Sequence, residues 1–172
     1  SSHSEDLLKE IGYNDLEGLF SAALANLEAH KTFVNSLNVF PVPDGDTGTN
    51  MALTLKTALA EVGKKKPVST KEFMSTLSAG SLIGARGNSG VILSQIVRGM
   101  AASADNKLTL TTTDFSQMLA KATEIAYKAV VTPVEGTILT VIRRIAEAAT
   151  TVRDDEFVPY FTALITVGRQ AV

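Results

Sequence analysis

Residues 14–37 read NDLEGLFSAALANLEAHKTFVNSL, and apolar side chains recur along this stretch mostly in steps of three and four. The members of this series are Leu16, Leu19, Phe20, Ala23, Leu27 and Val34. This period puts them on one face of an α-helix, and Asn14 or Asp15 is a suitable N-cap for that helix. No segment of the chain sustains a period of two, so the sequence predicts helices and not strands.

The same period predicts further helices at residues 50–62, 70–83, 88–102, 113–130, 136–152 and from 157 or 159 to the C-terminus. Gly63 and Gly84 follow the second and third helices as C-terminal stops. Because short connections usually join antiparallel helices, the predicted fold is all-α, an up-and-down antiparallel bundle or barrel. About seven helices would form one domain at residues 14–172, after an N-terminal tail at residues 1–13.

Alternate connections of an up-and-down bundle lie at the same end. The connections at residues 35–49, 84–89 and 131–137 should therefore meet, and the motifs in and beside them are DGDTGTN, GARGNSG and EGT. The connections at residues 63–69, 103–112 and 151–156 should meet at the other end, where the sequence looks like ordinary solvated turns. We therefore expect the functional residues at the first of these ends.

The composition excludes several functional classes. The 172 residues contain no cysteine, which removes disulfides, thiolate metal sites and cysteine nucleophiles and agrees with a cytoplasmic protein. A net charge of −2 and the absence of Trp give no basis for binding nucleic acid. No apolar run approaches the roughly 20 residues of a membrane span.

Two carboxylates, Asp44 and Asp46, lie one residue apart in a glycine-containing loop. Mg²⁺ is commonly bound through one or two carboxylates together with substrate phosphates, so the pair is a candidate metal site. The alternative is an Asp-Gly turn in which an aspartate caps the following helix, because these residues are frequent in turns.

Three helix starts at the same end are rich in small and polar residues. A helix start exposes unpaired N–H groups and a partial positive charge, and both favour phosphate. Together with the two aspartates they suggest Mg²⁺ bridging a polyphosphate. The candidate phosphate-binding residues are Thr47, Gly48, Thr49 and Asn50 at one start, Gly87, Asn88, Ser89 and Gly90 at the next, and Gly136 and Thr137 at the third.

The chain has no P-loop motif and no dinucleotide-binding glycine pattern. Arg86 is the only cation in the three connections, and it either stabilises transferred phosphoryl charge or pairs with an acid of the loops.

These motifs resemble the N-terminal ATP-binding domain of the bacterial fatty acid kinase (FakA) family, which is similar to the nucleotide-binding L subunit of dihydroxyacetone kinases. The stretches that carry the resemblance are NVFPVPDGDTGTNM at 38–51, GARGNSGVILSQ at 84–95 and PVEGTIL at 133–139. It covers most of the chain, from about Asn14 to Ala149.

The resemblance implies a helical barrel that binds ATP or ADP with two Mg²⁺ ions at one rim. Asp44 and Asp46 would ligate metal and act in catalysis with Arg86, and Asn38 would stand where dihydroxyacetone kinases have a third aspartate. The reaction would be transfer of the γ-phosphoryl group to an acceptor presented by a separate fatty-acid-binding protein or substrate-binding subunit. A fatty acid carboxyl is the acceptor expected.

The resemblance also leaves alternatives. The domain could be the nucleotide-binding component of a dihydroxyacetone kinase, or a non-catalytic module that senses nucleotide and docks a partner. Domains of this family have eight helices, so this chain is expected to be a fragment of a longer protein, with lowered or no activity in isolation. A homodimer formed through the full-length protein is left open.

Overall fold

The computed structural model describes residues 8–36, 46–105, 107–130 and 138–170. Within these ranges the protein is all-α, as predicted, and the only extended pairing is one isolated bridge. The helices are α1 (Tyr13–Ser36), α2 (Thr47–Lys65), α3 (Thr70–Ile83), α4 (Gly87–Ser103), α5 (Thr112–Ala129), α6 (Ile138–Ala149) and α7 (Phe157–Gln170).

Two helices begin at local side-chain caps. Ser69 caps α3 by accepting a hydrogen bond from the N–H of Glu72, and Gly84 ends that helix, so the predicted span is confirmed. Thr111 and Asp114 form a reciprocal capping box at the start of α5. The first helix begins at Tyr13, so the expected N-caps Asn14 and Asp15 lie inside it.

The predicted stop of α2 at Gly63 is wrong. The helix continues to Lys65, and Lys66 ends it in a left-handed conformation with φ of 50°. The N–H of Lys66 donates to the carbonyl of Val62, whose side chain is buried. Gly63 is therefore accommodated inside a helix, where glycine costs about 1 kcal/mol relative to alanine.

Each helix packs on the next along the chain, and α4 also packs on α2. The helices enclose one hydrophobic core, as expected when each has an apolar face. Its most deeply buried members include Leu16, Ala58, Phe73, Met74, Leu77, Val97, Met118, Ala122, Leu139 and Tyr160. None of the described helices combines the length and apolar character that a membrane crossing requires.

The end of the bundle expected to carry solvated turns is held together by polar contacts between connections. Thr70 donates to the carbonyl of Leu108 at 2.6 Å, and Thr112 donates to the carbonyl of Asp154 at 2.8 Å. These bonds place the connections after α2, α4 and α6 at one end, as the up-and-down arrangement predicts.

Residues 8–12, which the sequence analysis assigns to a tail, are part of the packed domain. Ile11 is buried and pairs with Leu110 through two backbone hydrogen bonds of 2.9 and 2.8 Å. The carbonyl of Leu8 accepts a hydrogen bond from the N–H of Phe157 at the start of α7. The backbone of this segment is therefore tied to two connections of the bundle, which a period-based reading of helices does not detect.

Candidate functional site

The start of α2 is capped by a residue of the preceding helix. The side-chain oxygen of Asn35, in the last turn of α1, accepts hydrogen bonds from the N–H groups of Gly48 at 2.7 Å and Thr49 at 3.1 Å. The Asn35 amide nitrogen donates to the hydroxyl of Thr49 at 3.1 Å. The N–H groups of Gly48 and Thr49 are therefore not the open donors that the sequence analysis expected for phosphate.

Asp46 occupies the N-cap position of α2 but makes no side-chain capping hydrogen bond to it. The alternative interpretation, in which this aspartate serves as the helix cap, is therefore wrong for Asp46. Its role as a metal ligand stays a prediction.

Close packing explains the glycine at position 48. A Cβ atom there would lie 2.7 Å from the carbonyl oxygen of Lys31 and 3.1 Å from the side-chain oxygen of Asn35. Any larger residue would push the start of α2 away from α1 and break the Asn35 cap.

At the start of α4, the side chain of the N-cap residue makes no capping hydrogen bond. Arg86 occupies the N-cap position in an extended conformation, and Gly87 follows with φ of +65°. The positive φ favours glycine at this position, and a Cβ on Gly87 would also lie 2.4 Å from the side-chain nitrogen of Asn50, which would have to move. The N–H groups of a helix start attract anions, and Gly87 and Asn88 in this first turn are exposed residues.

Two polar contacts join the starts of α2 and α4. The buried hydroxyl of Thr54 donates to the carbonyl of Asn50 at 2.7 Å and accepts from the N–H of Arg86 at 3.1 Å. The hydroxyl of Ser89 donates to the carbonyl of Thr47 at 3.2 Å. The structure therefore brings these two predicted helix starts together, as expected for alternate connections of an up-and-down bundle.

Arg86 and Asn88 are exposed at this end of the bundle. Arg86 forms no ion pair with any acid among the residues that the structure describes. Of its two predicted roles, pairing with an acid therefore has no support within those ranges. In the same ranges, no three His, Asp or Glu residues cluster as a metal centre.

Several predicted residues lie outside the described ranges. These are the metal-ligand candidates Asn38 and Asp44 and the third helix start at Gly136 and Thr137. The convergence of the third motif with the other two stays a prediction.

An apolar cavity of about 510 Å³ lies between α1, α2, α4 and the end of α7. Phe20, Leu27, Leu55 and Val97 are among the residues that line it, and none of the predicted site residues does.

Sequence reasoning did not identify Asn35 and Thr54 as site residues. Each acts on backbone groups of another element, 13 and 32 residues away along the chain. Local capping rules look for a polar side chain at the N-cap itself. The available signal was the position of Asn35 at the end of a helix that leads into the aspartate loop.

A family model described as the DAK2 domain matches residues 41–172. Protein YloV of Bacillus subtilis is 45% identical over 145 residues, which are 84% of this chain and 26% of that protein. An uncharacterized protein of Staphylococcus saprophyticus is 49% identical over 124 residues, 72% of this chain and 22% of that protein. A Staphylococcus aureus protein, also uncharacterized, is 48% identical over the same length. The chain thus spans about a quarter of the length of these curated relatives.

Proposed function

Because the chain belongs to the DAK2 domain family, of the dihydroxyacetone kinase L-subunit type, we propose that it is the nucleotide-binding domain of a kinase. It binds ATP with Mg²⁺ and transfers the γ-phosphoryl group to an acceptor held by a partner protein. The acceptor we propose is a fatty acid carboxyl presented by a separate fatty-acid-binding protein.

The observation that carries this proposal is the pairing of two helix starts. The N-cap residue of α4 makes no side-chain capping hydrogen bond, and the first turn of α4 is joined through Ser89 to the start of α2, which carries Asp46 at its N-cap position. A phosphate group prefers the positive end of a helix, and a divalent cation prefers carboxylate oxygens. The two neighbouring helix starts would satisfy both preferences side by side.

Asp44, Asp46 and Asn38 would supply oxygen ligands of the kind that Mg²⁺ prefers in a magnesium–nucleotide complex. When bound, Mg²⁺ would neutralise phosphate charge and orient the terminal phosphate for transfer.

The residues of α4 and its N-cap would hold the phosphates. The N–H groups of Gly87, Asn88 and Ser89 would donate to phosphate oxygens, and the missing side chain at Gly87 allows the backbone to approach them closely. The exposed guanidinium of Arg86 would add positive charge beside the transferred group. Catalysis would then arise mainly from positioning and charge stabilisation.

The proposed reaction balances without a general base. One carboxylate oxygen of the fatty acid bonds to the γ-phosphorus as the bond from that phosphorus to the β–γ bridging oxygen breaks. The products are an acyl phosphate and ADP. A carboxylate is already ionised at neutral pH, so no proton has to be removed from it.

The test is a phosphoryl-transfer assay with radiolabelled ATP, a fatty acid and its binding protein, using the full-length protein. We expect transfer that requires Mg²⁺ and is lost in the Asp44→Asn and Asp46→Asn variants. Asp105→Asn makes the same chemical change at the opposite end of the bundle, where Asp105 forms an exposed ion pair with Lys71, and should transfer normally. Equal transfer by all three variants would reject the proposal.

A further inference from the structure

We infer that Asn35 is a positioning residue of the proposed metal site. Its side chain caps the start of α2, so the Asp46 carboxylate at the N-cap position does not cap this helix. The metal part of this inference rests on the proposed function. The capping part rests on hydrogen bonds alone and can be tested without any ligand.

Asn35 takes the capping position that the side chain of Asp46 would normally occupy. With Asp46 at the N-cap position, Gly48 and Thr49 are the second and third residues of the helix. Their N–H groups are the ones that an aspartate at the N-cap normally accepts from. Asn35 accepts from both, at 2.7 and 3.1 Å, although it belongs to another helix.

A third hydrogen bond fixes the orientation of the Asn35 carboxamide. Its nitrogen donates to the Thr49 hydroxyl, so its oxygen faces the two N–H groups. The close approach at Gly48 keeps the two helices near enough for this arrangement.

Removal of the Asn35 side chain should therefore make helix capping compete with metal binding for the Asp46 carboxylate. The helix start would lose its acceptor, and the residue best placed to replace it is Asp46, an amino acid strongly preferred at this position. Asp46 would then rescue the cap at the expense of metal binding. A purely structural asparagine would lower stability when removed and would leave metal affinity unchanged in the folded fraction.

The capping part is tested by a thermal double-mutant cycle in EDTA, with the wild type, Asn35→Ala, Asp46→Ala and the double variant. We expect Asp46→Ala to lower Tm by about 2–4 °C more in the Asn35→Ala background than in the wild type, because only there would it remove a cap. Additive effects would overturn the inference. If Asn35→Ala does not fold, Asn35→Ser gives the same cycle.

The metal part is tested by titrating Mg²⁺ in the presence of ADP. We expect the apparent Kd for Mg²⁺ to rise about tenfold or more in Asn35→Ala, as when residues that orient metal ligands are removed. Asn35→Asp, which keeps the acceptor oxygen, should restore binding to within about threefold. Asn26→Ala, an exposed asparagine on the same helix, is the matched control and should bind as the wild type does.

The outcomes separate the two proposals. If the wild type binds no Mg²⁺–ADP, the proposed function fails. The double-mutant cycle in EDTA still decides whether Asp46 caps α2 when Asn35 is removed. If the wild type binds and Asn35→Ala binds equally well, the positioning role of Asn35 is wrong and the proposed function stands.

Discussion

The hydroxyl of Ser89 donates a hydrogen bond to the carbonyl of Thr47 at 3.2 Å, and this bond joins the first turn of α4 to the first residue of α2. Ser89 therefore contributes to the site through both its backbone and its side chain. The backbone N–H belongs to the first turn of α4, and the side chain holds that turn against α2.

Replacement of Ser89 by alanine should loosen this junction. We expect the free energy of unfolding to fall by about 1 kcal/mol, as for a typical lost hydrogen bond, and Mg²⁺–ADP affinity to fall as well. Ser94→Ala is the matched control, since Ser94 is also buried on the same helix but bonds to the carbonyl of Val91 in its own turn. Equal ADP affinities of the two variants in calorimetry would contradict this prediction.

Gly87→Ala should be destabilising because the residue has φ of +65° and its Cβ would lie 2.4 Å from the side-chain nitrogen of Asn50. We expect a loss of at least about 1 kcal/mol in thermal unfolding. Gly63→Ala should act in the opposite direction, since Gly63 lies inside α2 with open space around it. Helix propensity predicts a gain of up to about 1 kcal/mol there. A stable Gly87→Ala variant would show that the left-handed turn is not required.

Thr54→Val keeps the volume of a buried side chain but removes its hydroxyl. The N–H of Arg86 and the carbonyl of Asn50 then lose their shared partner, which should cost about 1–3 kcal/mol. Thr57→Val is the control, because Thr57 is exposed and bonds only within its own helix, to the carbonyl of Leu53. Chemical denaturation of both variants measures the difference, and similar midpoints would refute the role assigned to Thr54.

The capping box of α5 should make stability depend on pH. Burial alone would raise the pKa of Asp114, but hydrogen bonds from Thr111 and the ammonium group of Lys107, 3.3 Å away, hold it below its ordinary value. A lowered pKa stabilises the fold above the ordinary pKa of aspartate, and this contribution is lost as the pH falls through the folded-state pKa.

We therefore expect Asp114→Ala to cost about 1 kcal/mol at neutral pH. The difference from the wild type should shrink in strongly acidic solution, as followed by denaturation at several pH values. A difference that is constant over this range would contradict the assignment.

Ile11→Ala tests whether residues 8–12 belong to the domain. Ile11 is 2% exposed, so its truncation should cost about 2–4 kcal/mol. Leu108→Ala removes a similar side chain that is 85% exposed in the neighbouring connection and should change stability by less than about 0.5 kcal/mol. If Ile11→Ala leaves stability unchanged, residues 8–12 belong to the N-terminal tail that the sequence predicts.

The all-α fold was predictable because the apolar faces of the helices are long and regular. The span of α3 was predictable for the same reason, since Ser69 and Gly84 mark its ends with local signals. The true end of α2 at Lys65 was not, because Lys66 adopts a conformation that glycine usually takes.

The candidate site was predictable in its location but not in its hydrogen bonding. The up-and-down arrangement predicted that the starts of α2 and α4 lie at the same end, and the hydrogen bond from Ser89 to Thr47 confirms this prediction. The hydrogen bonds from the N–H groups of Gly48 and Thr49 to the side-chain oxygen of Asn35 could not be predicted, since they depend on how closely α1 approaches α2. The resemblance to dihydroxyacetone kinase L subunits is confirmed at the level of the DAK2 domain family, and the assignment to fatty acid kinases stays a prediction.

The central claim is tested most directly by calorimetric titration of ADP with and without Mg²⁺ into the wild type and the Asp44→Asn, Asp46→Asn double variant. We predict saturable binding to the wild type that requires Mg²⁺ and is lost in the double variant. Binding that persists without Mg²⁺ and without both aspartates, or no binding to the wild type, would contradict the account.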